Sequence, residues 1–326
     1  PTYHLAHLVD DYLMWTTHVI RGEEWLTSVP FHLQLFKAFD FVPPMYCHLP
    51  NILKLWEDNK KRKLAKRKDP EASVTTILEQ WIPWEALINY LMVIVDAKFE
   101  DRYAQQEKHV NNSNKVKNLY KDYTLELNNI SSSWALFDMT KLQRRSNKFL
   151  SILSNEDLYN MTIDRAEKYN KEAYNILTKN TNYIKEAISI ERHTEKDPKR
   201  FTTFQDIVEQ VVFVYDDIWK EKLKNRPDFP ESISKTVIHQ FIEIYEKKLD
   251  LWMTKEEWFE QLKDIGEQLW FAKNNKIFKL WWYKGKIWDI AMFMRIQLAW
   301  EKQTPDLYWM MKVLGKEKVI ERLSMF

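Results

Sequence analysis

The chain has four glycines in 326 residues: Gly22, Gly266, Gly285 and Gly315. Tight turns between strands and glycine-rich loops that wrap phosphates both need residues that tolerate positive φ. Such scarcity disfavours nucleotide-binding folds and sheets built from hairpins. The expected fold class is therefore all-α, a multi-helix bundle, and this length admits one large helical body or two helical subdomains. A 14% share of aromatic residues predicts cores stitched by rings.

Apolar spacing predicts where the helices run. Leu5, Leu8, Val9, Tyr12, Leu13 and Val19 recur at helical steps, so the first helix is expected to end near Gly22. Thr27, Ser28 and Pro30 open a short helix that Pro43 and Pro44 stop. Pro50 opens another, carrying Ile52, Leu53, Leu55 and Trp56 into the basic run from Lys60 to Lys68. A helical face continues through Leu87, Leu91, Val95 and Phe99 after a break at Pro83.

Residues 111–114 form a polar break, followed by helix from Lys115 to about Asn128. Residues 155–193 are the longest helical candidate, with a coiled-coil-like seam of Ala166, Tyr169, Ala173, Ile176, Tyr183, Ala187 and Ile190. Thr254 and Glu257 make a capping box for a later helix. The expected division is an N-terminal helical subdomain over 1–110 and a C-terminal one over 111–326; a break at 195–200 is the other option. No internal repeat is evident.

A net charge of +2 gives no global field toward nucleic acid or membrane. Cys47 is the one cysteine, which excludes an internal disulfide and a thiolate metal cluster and fits a reducing compartment. The first residues lack a signal-peptide layout, and the longest apolar cluster, Leu87 to Val95, is too short to span a bilayer. A cytoplasmic protein is expected.

No catalytic residues, metal ligands or cofactor are assigned. Asp216, Asp217 and Glu221 supply carboxylates on one helix, the way class I isoprenoid-type synthases hold Mg²⁺ on a diphosphate, but the facing second motif is missing. A solvated helix face is the plainer explanation. Glu107 with His109, and Glu191 with His193, lie two apart and point to different faces. His239 with Glu243 reads as a surface pair.

The basic run Lys60, Lys61, Arg62, Lys63, Lys66, Arg67 and Lys68 is either a solvated helix end or a weak site for an anionic surface, such as the inner face of the membrane. Nucleic acid is not expected as a partner, because the aromatics are spaced as core rather than interleaved with basic residues. In the tryptophan-rich end, Trp281, Trp282, Trp288, Asp289, Trp300 and Trp309 are candidates for binding a protein partner, against core packing as the alternative.

Gly285, Trp288 and Asp289, then a helix, then Thr304 onward to Leu314, Gly315 and Lys316, resemble the region before the von Willebrand A domain in ViaA-type proteins. Roughly residues 285–317 carry the likeness, about a tenth of the chain. Lys316 stands where that family tends to have Arg, and Ala291 opens the stretch where a Ser/Gly turn is usual. The resemblance implies the helical part of a von Willebrand A protein, a non-catalytic adaptor or regulator of a MoxR-type AAA+ ATPase. The Asp-x-Ser-x-Ser motif of the A domain is absent.

Overall fold

The computed structural model describes residues 2–56, 60–96, 98–107, 119–131, 133–194, 199–279 and 282–326. The chain divides into two compact units, Pro1–Leu153 and Ser154–Phe326. The expected boundary between 110 and 111, and most of the alternative at 195–200, lie outside the described residues.

In the first unit the elements run α1 (Tyr3–Leu13), β1 (His18–Gly22), α2 (Val29–Ala38), β2 (Met45–Leu49), β3 (Ile52–Leu55), β4 (Lys61–Lys63), α3 (Val74–Glu79), α4 (Trp84–Val95), α5 (Lys98–Glu107), β5 (Ala135–Leu136) and α6 (Met139–Ile152). The all-α expectation is thus corrected here. β1 pairs in parallel with β2, His18 opposite Met45 through Gly22 opposite Leu49. β3 lies between antiparallel β4 and parallel β5.

Scarce glycine leaves strands possible for a physical reason. It disfavours two-residue hairpin turns, whereas parallel strands are joined by crossovers that need no positive φ, as α2 joins β1 to β2, and antiparallel β3 and β4 are separated by five residues without a glycine. The helices expected to reach Gly22, and to run from Pro50 into the basic residues, fail at these strands. Thr17, Val19 and Ile20 are β-branched, which favours the pleated strand. Beneath β3 and β5, Ile77, Ile82, Leu87, Tyr90, Phe137 and Leu142 form the core.

The second unit is mainly helical: α7 (Asn155–Tyr169), α8 (Lys171–Lys179), α9 (Thr181–Ser189), α10 (Phe204–Val211), α11 (Asp216–Leu223), α12 (Lys235–Lys248), α13 (Lys255–Gln268), β6 (Phe271–Ala272), α14 (Asn275–Phe278), β7 (Gly285–Lys286), α15 (Ile287–Ala299), α16 (Leu307–Leu314) and α17 (Lys316–Ser324). The long seam over 155–193 is three helices. Asn170 and Asn180 each leave the helical region, and their side-chain oxygens accept the amides of Ala173 at 3.1 Å and Tyr183 at 3.2 Å. Each asparagine caps a new helix instead of continuing the old one.

The expected capping box at Thr254 and Glu257 forms in both directions, and Thr203 with Asp206 makes another. Among the described residues no helix is long and apolar enough to cross a membrane.

Candidate nucleic-acid interface

The basic run is a strand and a turn, not a helix end. Arg62 on β4 stands opposite Lys54 on β3. Its two terminal nitrogens donate to Asp69 at 2.6 and 2.5 Å, and the Ala65 amide donates to the same carboxylate at 2.8 Å. Asp69 is only 2% exposed. The Arg62 hydrogen bonds, then the Ala65 amide, hold its pKa far below the ordinary carboxylate range.

Lys54 pairs with Glu71 alongside, and the Arg62 guanidinium lies 4.4 Å from the centre of the Trp56 ring. The chain from Ala65 to Asp69 is therefore pinned at both ends, and Lys66, Arg67 and Lys68 between them are exposed, as are Lys60 and Lys61. Lys63 is engaged with Glu24 at 3.1 Å.

The same unit holds a half-buried cluster, with His7 and His32 at its buried centre, that sequence reasoning missed. His4 Nδ1 lies 2.9 Å from His32 Nε2, and His7 Nε2 lies 2.8 Å from the Tyr46 hydroxyl. Arg21 on β1 donates to His48 Nε2 at 3.1 Å and approaches His32 Nδ1 at 3.3 Å, with its guanidinium 4.7 Å from the centre of the Tyr46 ring. Burial lowers the pKa of His7 and of His48, and drives His32 down to about 4.

The result is one permanent cation, Arg21, beside three imidazoles, His7, His32 and His48, biased to the neutral form. Arg21 Nη1 is buried without a hydrogen-bond partner, an arrangement suited to an incoming anion. His4, His7 and Asp11 share one face of α1 at three- and four-residue steps, a legible signal. Arg21, His32 and His48 come from three other segments and were not legible.

In the second unit a cavity of about 370 Å³ is lined by Arg200, Gln210, Phe213, Trp300, Thr304 and Pro305, among others. Trp300 ends α15 in the left-handed conformation, φ 52°, and lines the cavity with Ala299 and Glu301 on either side of it. Arg295 fixes the next segment by donating to the carbonyls of Thr304 and Pro305 at 3.3 and 2.9 Å. Arg200 donates to the Ile190 carbonyl at 2.9 Å and reaches Gln210 at 3.4 Å.

Of the tryptophan-end candidates among the described residues, Trp300 alone lines this cavity. Trp282, Trp288 and Trp309 are exposed. Asp289 caps α15, accepting from the Lys286 amide at 2.9 Å and from Ser232 at 2.8 Å, and Trp281 lies outside the described residues.

The metal alternative fails on geometry. Asp216 is taken by Arg322 at 2.7 Å and Lys318 at 3.0 Å, and Asp217 by Lys179 at 2.9 Å. Burial pushes the Asp216 pKa up, but the hydrogen bonds from Arg322 and Lys318 prevail and leave it lowered. Among the described residues no group of three His, Cys, Asp or Glu is arranged to hold a metal ion.

Comparison with known proteins identifies both units. Residues 1–144 match the family described as tRNA synthetases class I (E and Q), catalytic domain, and residues 157–326 match the anticodon binding domain. A glutamate–tRNA ligase of Clostridium perfringens strain SM101 is 36% identical over 328 residues, an alignment covering 100% of this chain and 58% of the relative. One from Sorangium cellulosum is 36% identical over 348 residues, covering 100% and 58%.

In fold, the crystal structure of a glutamate-tRNA synthetase from Elizabethkingia anophelis is similar with a TM-score of 0.60 at 24% identity, over 99% of this chain and 59% of that one. The chain spans about 58% of the length of the curated relatives it matches.

These findings overturn the ViaA-like resemblance and, with it, the AAA+ ATPase partner, the non-catalytic adaptor role and the exclusion of nucleic acid. They equally overturn the isoprenoid-synthase alternative. The misleading segment has a local cause. A Cβ on Gly285 would meet Asp289 Oδ2 at 2.5 Å and Ser232 Cβ at 2.6 Å, so Gly285 and Asp289 serve the start of a helix, a need that many folds share. With a match to the class I (E and Q) catalytic domain over residues 1–144 ahead of it, and the anticodon binding domain over 157–326, more than half of its length, the chain belongs to the anticodon binding domain family.

Proposed function

We propose that this protein serves in joining glutamate to tRNA, binding tRNA with both units and a carboxylate in the first. The observation that carries the reading is the span of the likeness: relatives bearing the ligase name align across both units. The site geometry fits it. The cavity of the second unit offers Phe213 and Trp300 as planar walls, with Gln210 and Thr304 as hydrogen-bonding groups, which an unpaired base requires.

Lys60, Lys61, Lys66, Arg67 and Lys68 supply point charges for phosphates, which give affinity without reading sequence. A polyanionic RNA, rather than a lipid surface, is the occupant assigned to them. Trp282, Trp288 and Trp309 are assigned as outer contacts of the second unit. Arg21, with a buried N–H unpaired, suits a carboxylate such as glutamate carries. On this reading the protein works in the cytoplasm.

The test is fluorescence anisotropy with a glutamate-accepting tRNA and the same tRNA carrying a changed anticodon. Binding is expected to weaken roughly tenfold with the changed anticodon, and Gln210→Ala is expected to narrow that gap. Equal affinity for both tRNAs, or none for either, would sink the proposal.

A further inference from the structure

A second groove, in the first unit and apart from the basic turn, has a composition of its own. It measures about 480 Å³ and is lined on one side by Lys141, Arg144, Arg145 and Lys148 of α6. Those positions are i, i+3, i+4 and i+7, so they share one helix face and span about 10 Å at 1.5 Å per residue. Arg145 is engaged by Glu100 and lies 4.8 Å from the centre of the Tyr103 ring. Lys141 and Arg144 are exposed and have no acidic partner among the described residues.

Val93 and Ile94 of α4 and the short strand β5 supply apolar lining. Trp134, which also lines the groove, is 64% exposed, and it stands close enough to Glu23 to be the chief cause that lowers that carboxylate's pKa. A large ring open to solvent at the wall of a groove is a platform rather than a core residue.

We infer that this groove holds an unpaired segment of RNA, with a base stacked on Trp134 and the adjoining phosphates on Lys141 and Arg144. The inference rests on the tRNA-binding reading above. A cationic track beside an exposed aromatic is the combination by which proteins bind single strands without sequence preference. An acidic peptide fits less well, because β5 is two residues long and offers too little edge for a backbone ladder.

The test uses the full chain, with total tRNA, an eight-nucleotide oligo-U and polyglutamate as probes. Lys141→Ala with Arg144→Ala is expected to weaken tRNA and oligo-U binding about tenfold and to make the salt dependence shallower by about 1.5 in log–log slope. Trp134→Ala is expected to weaken both about tenfold with the slope unchanged, and Trp134→Phe to restore them. Circular dichroism melts confirm that each variant folds.

Groove variants that bind tRNA and oligo-U like the unmodified protein overturn the inference while leaving the tRNA reading intact. Polyglutamate binding that the variants lose, with RNA binding unchanged, overturns it in favour of a peptide. An unmodified chain that binds no tRNA overturns both.

Discussion

Arg322 Nη2 donates to Asp216 Oδ1 at 2.7 Å, joining the last helix to the start of α11. Arg322 is 1% exposed, and its other terminal nitrogen donates to the carbonyls of Phe213 at 2.6 Å and Leu298 at 3.1 Å. The carboxylate that resembled a metal ligand in sequence is the counter-ion of a buried guanidinium.

Removing either partner therefore has unequal effects. Asp216→Asn keeps a hydrogen-bond acceptor at a half-exposed position and is expected to cost about 1–3 kcal/mol. Arg322→Met leaves two buried carbonyls unpaired and the Asp216 carboxylate with Lys318 as its remaining cation, and is expected to cost about 3–5 kcal/mol. Urea titration followed by circular dichroism measures both. Losses under about 0.5 kcal/mol in each would contradict this account.

The histidine cluster predicts an acid-side loss of stability. Unfolded histidine takes up its proton near pH 6.5, while burial and the neighbouring His7 and Arg21 hold folded His32 to about 4. Unfolding thus binds protons between those values. The contribution of His32 is complete above about pH 6.5 and is lost as the pH falls toward 4. Urea midpoints taken across that range should decline, and His32→Gln should flatten the decline; a slope the variant leaves untouched would count against it.

The caps at Asn170 and Asn180 are worth testing because they divide what reads as one helix. Asn180→Ala removes the acceptor for the Tyr183 amide and should cost about 1 kcal/mol. Asn180→Ser, which keeps an acceptor, should recover most of it. Thermal melts of the two variants separate capping from a general intolerance of substitution.

Gly285→Ala places a methyl group against Asp289 and Ser232, both packed and hydrogen-bonded to each other. The expected loss is about 1–3 kcal/mol. Gly285→Ala in a background carrying Ser232→Gly should lose less, since one of the two obstructions is gone. Equal losses in both backgrounds would place the strain elsewhere.

What was legible in the sequence was what depends on neighbours along the chain. Thr254 and Glu257 announce their helix because both halves of the box lie within four residues. Asn170 carries the same kind of local signal, but a heptad-like seam masked it. The sheets were illegible for a different reason: Ile52 and Leu53 satisfy helical spacing as readily as strand spacing over four residues, and pairing with residues 135–136 has no local trace. The Arg21 cluster draws on α1, α2 and two strands. Its residues meet only through the parallel pairing of β1 with β2, which places Arg21 opposite His48.

Asp69 gives the sharpest separation between charge and geometry at the basic turn. Asp69→Asn raises the net positive charge of the turn by one, so a purely electrostatic view expects RNA to bind more tightly. The structure argues the opposite. Without the carboxylate, Arg62 loses the partner that receives both its terminal nitrogens, and the Ala65 amide loses its ionised acceptor. Lys66, Arg67 and Lys68 then sample many conformations, and the cost of ordering them falls on binding. The expected outcome in anisotropy titrations is several-fold weaker tRNA binding despite the added charge, with the salt slope unchanged because the same cations still meet phosphate. Tighter binding by Asp69→Asn would show that the turn acts through its charge alone.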